Sequence, residues 1–318
     1  MPHGDQRAPL APTRLPRALL GEFLPSPQLL AGRLAASTVA IYTWDCTAYV
    51  AFCGYDSTVV LRAETLRRWR THLVADTPLS PHTINRMLAA VKRVVKEGAV
   101  QGLLDRAVAE AFAQVEGGSV GALRHRLKAH ARVRITPAQM RRLCEAPEGQ
   151  TLLGLRNRAL LLTLATSGCR ISEVVTLTPA QVTTRDGASF LQVLGKRQHA
   201  PREAPLSHEA AAAIQAWLAR RGEGRPDTAL FTRFVGGGWR PTLQPLSVSS
   251  AWRVVHKYAL QCGLVHVKPH DFRRFVGTEL AKRDLRQAQK ALGHQRLETT
   301  VQHYVLDELR PGLTEDLF

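Results

Sequence analysis

The chain has 318 residues, which is enough for about two domains with separate hydrophobic cores. It contains 43 Lys and Arg residues against 26 Asp and Glu residues, so its formal net charge is +17 and its pI is near 10.5. A positive surplus of this size indicates a polyanionic partner, with nucleic acid as the first candidate and a membrane surface as the alternative. No apolar stretch is long enough to span a bilayer, and the first residues do not resemble a signal peptide. We therefore expect a cytoplasmic protein without a membrane partner.

The cysteines and histidines do not show the spacing of a metal site. No Cys-x-x-Cys pair occurs, so we interpret the cysteines as free, mostly buried thiols. We therefore expect no metal. The cysteines are Cys46, Cys53, Cys144, Cys169 and Cys262.

The first third of the chain predicts a flexible arm followed by a small helical domain. Residues 1–33 contain six prolines and little periodicity, which predicts an arm with a short helix near residues 19–23. Residues 34–116 predict a helical domain. Its helices begin at a Ser37-Thr38 cap, span residues 63–75, run from residue 81 to a stop at Gly98, and span residues 105–115. The basic outer face of the third helix is either solvated or a DNA-binding surface. Its candidate DNA contacts are Arg86, Lys92 and Arg93.

Residues 117–134 predict a basic linker between two domains. The segment begins with two glycines and contains no acidic residue. Such a connector is either merely flexible or able to follow a phosphate backbone. The candidate phosphate contacts are Arg124, Arg126, Lys128, Arg132 and Arg134.

Residues 135–318 predict a second, mainly helical domain with a small β-hairpin, so the fold class is α+β. Helices are expected over residues 136–146, 155–166, 207–221 and 250–262, and a mobile loop over residues 236–245. The apolar helix 155–166 ends at a Ser-Gly-Cys break, and Arg170 follows it. An arginine at a helix start can bind anions, and Glu173 can hold its guanidinium in place. The hairpin pairs residues 189–194 with residues 202–206 and carries Lys196 near its turn.

Residues 268–304 contain two further segments with candidate functional side chains. Pro269 and Asp271 indicate a helix start, and on this helix His270, Arg273 and Gly277 share one face. A glycine on that face would allow a bulky ligand to approach, although a merely basic helix end explains the same pattern. The sequence Leu-Gly-His, ending at residue 294, then precedes Thr-Thr and, ten positions after the histidine, a tyrosine at residue 304.

The His-x-x-Arg and Leu-Gly-His sequences, with the tyrosine that follows, resemble the catalytic end of the tyrosine recombinase (phage integrase) family. The segment Thr-Ser-Gly-x-Arg-Ile-Ser-Glu around Arg170 is similar to the first motif of that family, and the hairpin with Lys196 resembles its lysine hairpin. The resemblance covers roughly residues 135–305. The helical residues 34–116 resemble the family's core-binding domain in type and place only.

Two residues and one spacing depart from the family pattern. Arg197 stands where a second glycine is frequent, and Arg274 stands where a histidine often follows the motif arginine. Family members commonly have one residue fewer between the Leu-Gly-His histidine and the tyrosine. These departures bear on geometry and leave the chemical groups in place.

The resemblance implies a DNA-cleaving site that needs no metal or other cofactor, because positive side chains supply the charge. By residue, Arg170 and Arg273 would bind one phosphodiester and Tyr304 would be the nucleophile. His270 would be the base or an orienting group, Lys196 the general acid and His294 a hydrogen-bond donor, with Glu173 in support. The implied partner is double-stranded DNA with inverted-repeat core sites, bound by a homo-tetramer to which the tail, residues 307–318, contributes. A type IB topoisomerase and a catalytically silent DNA-binding protein are the alternatives.

Overall fold

The computed structural model describes residues 20–127, 133–195, 200–222, 224, 227–236 and 240–304, apart from the side chains of residues 302 and 303. The chain divides into two compact units, Met1–Ala131 and Arg132–Phe318. In the described part of the chain, no helix is long and apolar enough to cross a membrane.

The described part of the first unit is helical, and its apolar faces meet in one core. The predicted helix over residues 63–75 is confirmed, whereas the cap predicted at Ser37-Thr38 is wrong because the helix begins slightly earlier, after Ala35. Its helices are α1 (Leu20–Phe23), α2 (Ala36–Phe52), α3 (Ser57–Val60), α4 (Ala63–Ala75), α5 (Pro81–Val100) and α6 (Arg106–Ala113).

The prediction of a flexible arm is wrong for residues 20–33. Leu20, Leu24 and Leu30 are at most 2% exposed and belong to the core of the first unit. Their apolar side chains gain more from burial than the segment loses in chain entropy. The predicted stop at Gly98 is also wrong, since this glycine lies inside α5. A Cβ there would lie 2.6 Å from Cγ of Pro25, so Gly98 allows the segment before α2 to pack closely.

The predicted linker also needs correction, because its described first part packs against the first unit. The Arg126 guanidinium donates hydrogen bonds to the carbonyls of Val74 (2.6 Å) and Thr77 (2.9 Å) at the end of α4. The Asn85 side chain bonds both the N–H and the C=O of Gly118. Residues 117–127 are therefore held by hydrogen bonds and are not a free connector.

The second unit packs around the apolar helix predicted over residues 155–166, which the structure extends to Leu152–Ser167. Leu160, Leu161 and Leu164 on this helix are fully buried. The unit contains α7 (Pro137–Glu145), α8 (Leu152–Ser167), α9 (Ile171–Val174), β1 (Val182–Arg185), β2 (Ala188–Val193), β3 (Arg202–Leu206), α10 (His208–Arg221), β4 (Thr232–Val235), β5 (Arg240–Pro245), α11 (Val248–Gln261), α12 (Pro269–Ala281), α13 (Leu285–Leu292) and α14 (Leu297–Tyr304).

Small antiparallel sheets accompany these helices. The predicted pairing of β2 with β3 is confirmed, with Leu191 opposite Ala204, and β1 adds a strand on the other edge of β2. The loop predicted over residues 236–245 is wrong for its described end, because β5 pairs with β4. Pro241 and Pro245 interrupt the alternating pattern by which a strand is recognised, and an edge strand tolerates both.

Candidate active site

Arg170 is placed by the turn that ends α8. Gly168 adopts φ +63°, the left-handed conformation that favours glycine at a helix end. A Cβ on this residue would also lie 2.9 Å from Leu292 and 3.0 Å from Val276. The turn lets the chain reverse in a crowded place, and Arg170 follows as the N-cap of α9 with its side chain 42% exposed.

Glu173 holds two arginines. Its carboxylate accepts a hydrogen bond from the Arg170 guanidinium (2.7 Å) and another from the Arg170 backbone N–H (2.8 Å). It also accepts one from Arg202 on β3 at 2.9 Å. Burial alone would raise the pKa of Glu173. The hydrogen bond from the Arg170 backbone and the charges of Arg202 and Arg170 outweigh burial, so the pKa lies below its ordinary value. The carboxylate is therefore ionised and fixes Arg170 on one side.

Arg273 on α12 is almost completely buried, with 1% of its surface exposed. It donates to the carbonyls of Gly168 (2.9 Å) and Leu292 (2.7 Å), and its Nη2 lies 3.0 Å from Nε2 of His294. Burial and the nearby charge of Arg170 lower the pKa of Arg273, while interactions with Tyr304, including a hydrogen bond, oppose that shift. Two backbone carbonyls thus aim a guanidinium at the site.

His270 stands at the start of α12 with an exposed ring. Partial desolvation of the ring lowers the pKa of His270, and the positive charges of Arg274 and Arg273 lower it further. The imidazole is therefore neutral at pH 7 and can accept a proton. Asp271 accepts hydrogen bonds from the Lys268 backbone N–H (2.9 Å) and the Arg274 side chain (3.0 Å), which fixes this helix start.

His294 follows the left-handed Gly293 at the end of α13. Its Nδ1 lies 2.9 Å from Oγ1 of Thr300, a side chain that is fully buried on α14. Its Nε2 faces Arg273. Both ring nitrogens therefore have a named partner.

Tyr304 lies against these residues and is only 3% exposed. Its ring stacks on that of His294, with centroids 5.4 Å apart and 25° between the planes. The other close neighbour is Gly277, where a Cβ would lie 2.6 Å from Cε1 and 2.8 Å from Cγ of the tyrosine. The glycine expected to admit a bulky ligand is instead covered by the Tyr304 ring.

Of the catalytic residues predicted from the sequence, the structure brings together the two arginines, the two histidines and the tyrosine. They are Arg170, Arg273, His270, His294 and Tyr304. Lys196 lies outside the described residues, between the described ends of β2 and β3. No group of three or more His, Cys, Asp and Glu side chains that could hold a metal ion occurs among the residues that the structure describes.

Sequence reasoning missed Arg202 and Thr300. Arg202 has a side chain that is 8% exposed, bonds Glu173 and donates to the carbonyl of Ala291 (2.5 Å). It thereby links the base of the predicted lysine hairpin to α9 and α13. The available signal for Arg202 was its position at the start of the predicted return strand of the hairpin. For Thr300 it was the Thr-Thr pair between the Leu-Gly-His sequence and Tyr304.

The predicted DNA contacts lie in both units and differ in their surroundings. Some are occupied by intramolecular bonds: Arg86 pairs with the buried Asp45, and Lys92 donates to the carbonyl of Val115. Arg126 holds the end of α4, as described above. Arg93, Arg124 and Arg134 are exposed residues, whereas Lys128 and Arg132 lie outside the described residues.

The fold is that of DNA integrases and recombinases. A solved lambda integrase dimer bound to a COC′ core site superposes with a TM-score of 0.63 at 13% identity, covering 92% of this chain and 78% of that chain. A Tn1549 transposon integrase in complex with a circular intermediate DNA gives a TM-score of 0.60 at 14% identity, covering 92% of this chain and 98% of that one. Identities this low show the fold alone.

Sequence matches give the family. The model of the phage integrase family matches residues 133–308, more than half of the chain. The tyrosine recombinase XerC of Pelobacter propionicus is 30% identical over 286 residues, which cover 87% of each chain. The tyrosine recombinase XerD of Neisseria meningitidis is 34% identical over 172 residues, so the match covers 52% of this chain and 56% of that relative. The chain belongs to the phage integrase family, and it is a site-specific tyrosine recombinase.

Proposed function

We propose that this chain cleaves and rejoins DNA at specific sites through a covalent bond between Tyr304 and a DNA 3′ phosphate. One observation carries the proposal: Tyr304 lies within hydrogen-bonding distance of the buried Arg273 and stacks on His294. The phenol therefore lies beside a guanidinium that can bind a phosphate. A buried, purely structural tyrosine would not need two arginines and two histidines around it.

In this proposal Arg170 and Arg273 bind the non-bridging oxygens of the scissile phosphate. The guanidinium of Arg273 is fixed by two carbonyls, and that of Arg170 is fixed by Glu173. Donors that are already oriented stabilise the extra charge of a pentacovalent transition state without reorganising as the reaction proceeds. Their charge and geometry also suit bidentate phosphate binding.

The remaining residues transfer the protons that the covalent step requires. The Tyr304 hydroxyl oxygen forms a bond to phosphorus while the bond from phosphorus to the 5′ oxygen breaks. The phenol proton passes to the neutral His270, whose lowered pKa suits a base at pH 7. Lys196 protonates the departing 5′ oxygen. The products are a 3′-phosphotyrosine and a free 5′ hydroxyl, and attack by the 5′ hydroxyl of another strand completes recombination.

We further propose that the first unit is the core-binding domain. The chain carries a net charge of +17, and Arg93 offers an exposed guanidinium on α5. The related structures named above contain DNA, and a solved XerH recombinase is bound to a palindromic substrate. The proposed partner is therefore double-stranded DNA with inverted-repeat core sites. A homo-tetramer on paired sites, joined through residues 307–318, completes the proposal.

Covalent trapping tests this function. Labelled duplexes from beside the gene, nicked near candidate inverted repeats so that the 5′ fragment escapes, are mixed with the full chain without added metal. On a denaturing gel we expect a shifted band that is lost in Tyr304→Phe. If DNA is bound but no band forms on any duplex, the chain does not cleave. Strand transfer to a second duplex then distinguishes a recombinase from a type IB topoisomerase.

A further inference from the structure

The two ring nitrogens of His294 face different kinds of hydrogen-bond partner: a guanidinium, which can only donate, and a hydroxyl, which can donate or accept. Nε2 lies 3.0 Å from Nη2 of Arg273, and Nδ1 lies 2.9 Å from the hydroxyl oxygen of Thr300. A guanidinium carries N–H donors and has no acceptor. Nε2 must therefore accept this hydrogen bond, which leaves the ring proton on Nδ1. The Thr300 hydroxyl oxygen accepts that proton's hydrogen bond.

The opposite assignment fails on the same geometry. If the Thr300 hydroxyl donated to Nδ1, the ring proton would lie on Nε2. Two donors would then face each other across the 3.0 Å between His294 and Arg273. Inside a protein such an arrangement costs the desolvation of both groups without a compensating bond. Arg273 therefore selects the tautomer with the proton on Nδ1, and the Thr300 hydroxyl oxygen stabilises that tautomer by accepting the hydrogen bond of this proton.

We propose that Thr300 is a positioning residue that stabilises this tautomer of His294 and holds the plane of its ring. The proposal rests on the function proposed above, in which Arg273 binds the scissile phosphate, and on the donor role that the family resemblance implies for His294, whose Nε2 lies beside Arg273. The structure supports such a role because Thr300 is fully buried, on the same helix as Tyr304. Its rigid β-branched side chain holds the hydroxyl at one ring nitrogen. The same ring plane is the one on which Tyr304 stacks.

The acceptor role of Thr300 is retained when the phosphate binds. A phosphate oxygen needs a donor from His294, so Nε2 must then carry a proton as well. In that doubly protonated ring Nδ1–H still donates to the Thr300 oxygen, so the ring need not turn. One hydroxyl thus supports the ring both at rest, with Arg273 as donor to Nε2, and with the phosphate bound.

Two substitutions separate the hydroxyl from the shape of the side chain. Thr300→Val keeps the branched shape and removes the oxygen, whereas Thr300→Ser keeps the oxygen. Thr299→Val, at a half-buried position of the same helix, is the matched control. The first measurement is the pair of imidazole ¹⁵N shifts in the full chain labelled at histidine, with the resonances of His294 identified by their loss in His294→Gln.

We expect the wild type, Thr300→Ser and Thr299→Val to show a protonated Nδ1 and an unprotonated Nε2. In Thr300→Val the two shifts should move toward each other or exchange. The rate of covalent trapping on a nicked duplex should fall about 10-fold in Thr300→Val, which corresponds to about 1.4 kcal/mol, and return to within about 2-fold of wild type in Thr300→Ser.

Unchanged ¹⁵N shifts in a folded Thr300→Val would overturn the proposal. Equal impairment of Thr300→Ser and Thr300→Val in both measurements would overturn it too, since the hydroxyl would then be irrelevant. If the wild type forms no covalent adduct, the proposed function fails. The ¹⁵N shifts of the DNA-free chain still decide the role of Thr300, so the two failures are distinguishable.

Discussion

Gly277→Ala should separate DNA binding from DNA cleavage. The added Cβ would lie 2.6 Å from Cε1 and 2.8 Å from Cγ of Tyr304, whereas carbon atoms in contact are separated by about 3.5–4.0 Å. The Tyr304 ring must therefore move by roughly 1 Å. A displacement of that size in a reacting group costs on the order of 100-fold in rate. We expect the rate of covalent trapping to fall about 100-fold.

Stability should change little in Gly277→Ala, because two effects oppose each other. Alanine favours the helix interior by about 1 kcal/mol over glycine, while overpacking in a core costs about 1–3 kcal/mol. DNA affinity, measured by gel shift, should stay within about 2-fold of wild type, since the phosphate-binding arginines stay in place. Gly21→Ala on α1, where a Cβ would meet nothing within 4 Å, is the control for a helical glycine. Cleavage by Gly277→Ala at the wild-type rate would refute the inference that Tyr304 reacts from this position.

Three further predictions concern charge. Glu173→Gln should destabilise the fold by about 3–5 kcal/mol in urea unfolding at pH 7, because it leaves Arg202 buried without its anion. The pKa of Glu173 is lowered on folding, so its contribution is complete above the ordinary value of 4.5 and is lost progressively as the pH falls from there through the lowered pKa. The difference between wild type and variant should therefore be smaller at pH 4 than at pH 7, and a constant difference would contradict this. The pKa of His270 is lowered from 6.5, so the cleavage rate should fall as the pH drops below that value. Arg274→Gln removes the charge that lowers this pKa most, so the acid limb of the pH–rate profile should move to higher pH. An acid limb that does not move would exclude His270 as the base. Arg93→Ala should weaken binding of all duplexes alike and reduce the slope of log affinity against log salt by about 0.9, whereas an unchanged slope would exclude a phosphate contact.

The chemical groups of the site were predictable from the sequence because they lie in short local motifs. Arg170 follows a glycine turn, and His270 and Arg273 are one helical turn apart, so spacing alone placed each on its element. Only the family resemblance predicted that these groups lie together, because the residues that bond Arg273, Gly168 and Leu292, are 105 and 19 positions away in the sequence. No local pattern encodes such contacts.

The errors in the sequence analysis have a common physical cause. The sequence pattern predicts a helix stop at Gly98 and an opening for a ligand at Gly277, yet both glycines make room for a ring from elsewhere in the chain, Pro25 and Tyr304 respectively. A glycine has the same appearance in a sequence whether it ends a helix or permits close packing. Likewise, proline content predicted an arm where Leu20 and Leu24 complete a core. Tertiary packing decided each case.

The hydrogen bonds of Arg273 suggest how substrate binding and nucleophile release are connected. At rest its guanidinium has two kinds of acceptor: the carbonyls of Gly168 and Leu292, which are fixed by the fold, and the side chains of His294 and Tyr304, which can be exchanged. A phosphate oxygen carries charge and is the stronger acceptor. We therefore expect a bound phosphate to replace the side-chain acceptors while the carbonyls keep the guanidinium in place. The same exchange frees the phenol oxygen of Tyr304 beside the phosphorus that it attacks, so the nucleophile is released only where a phosphate is present.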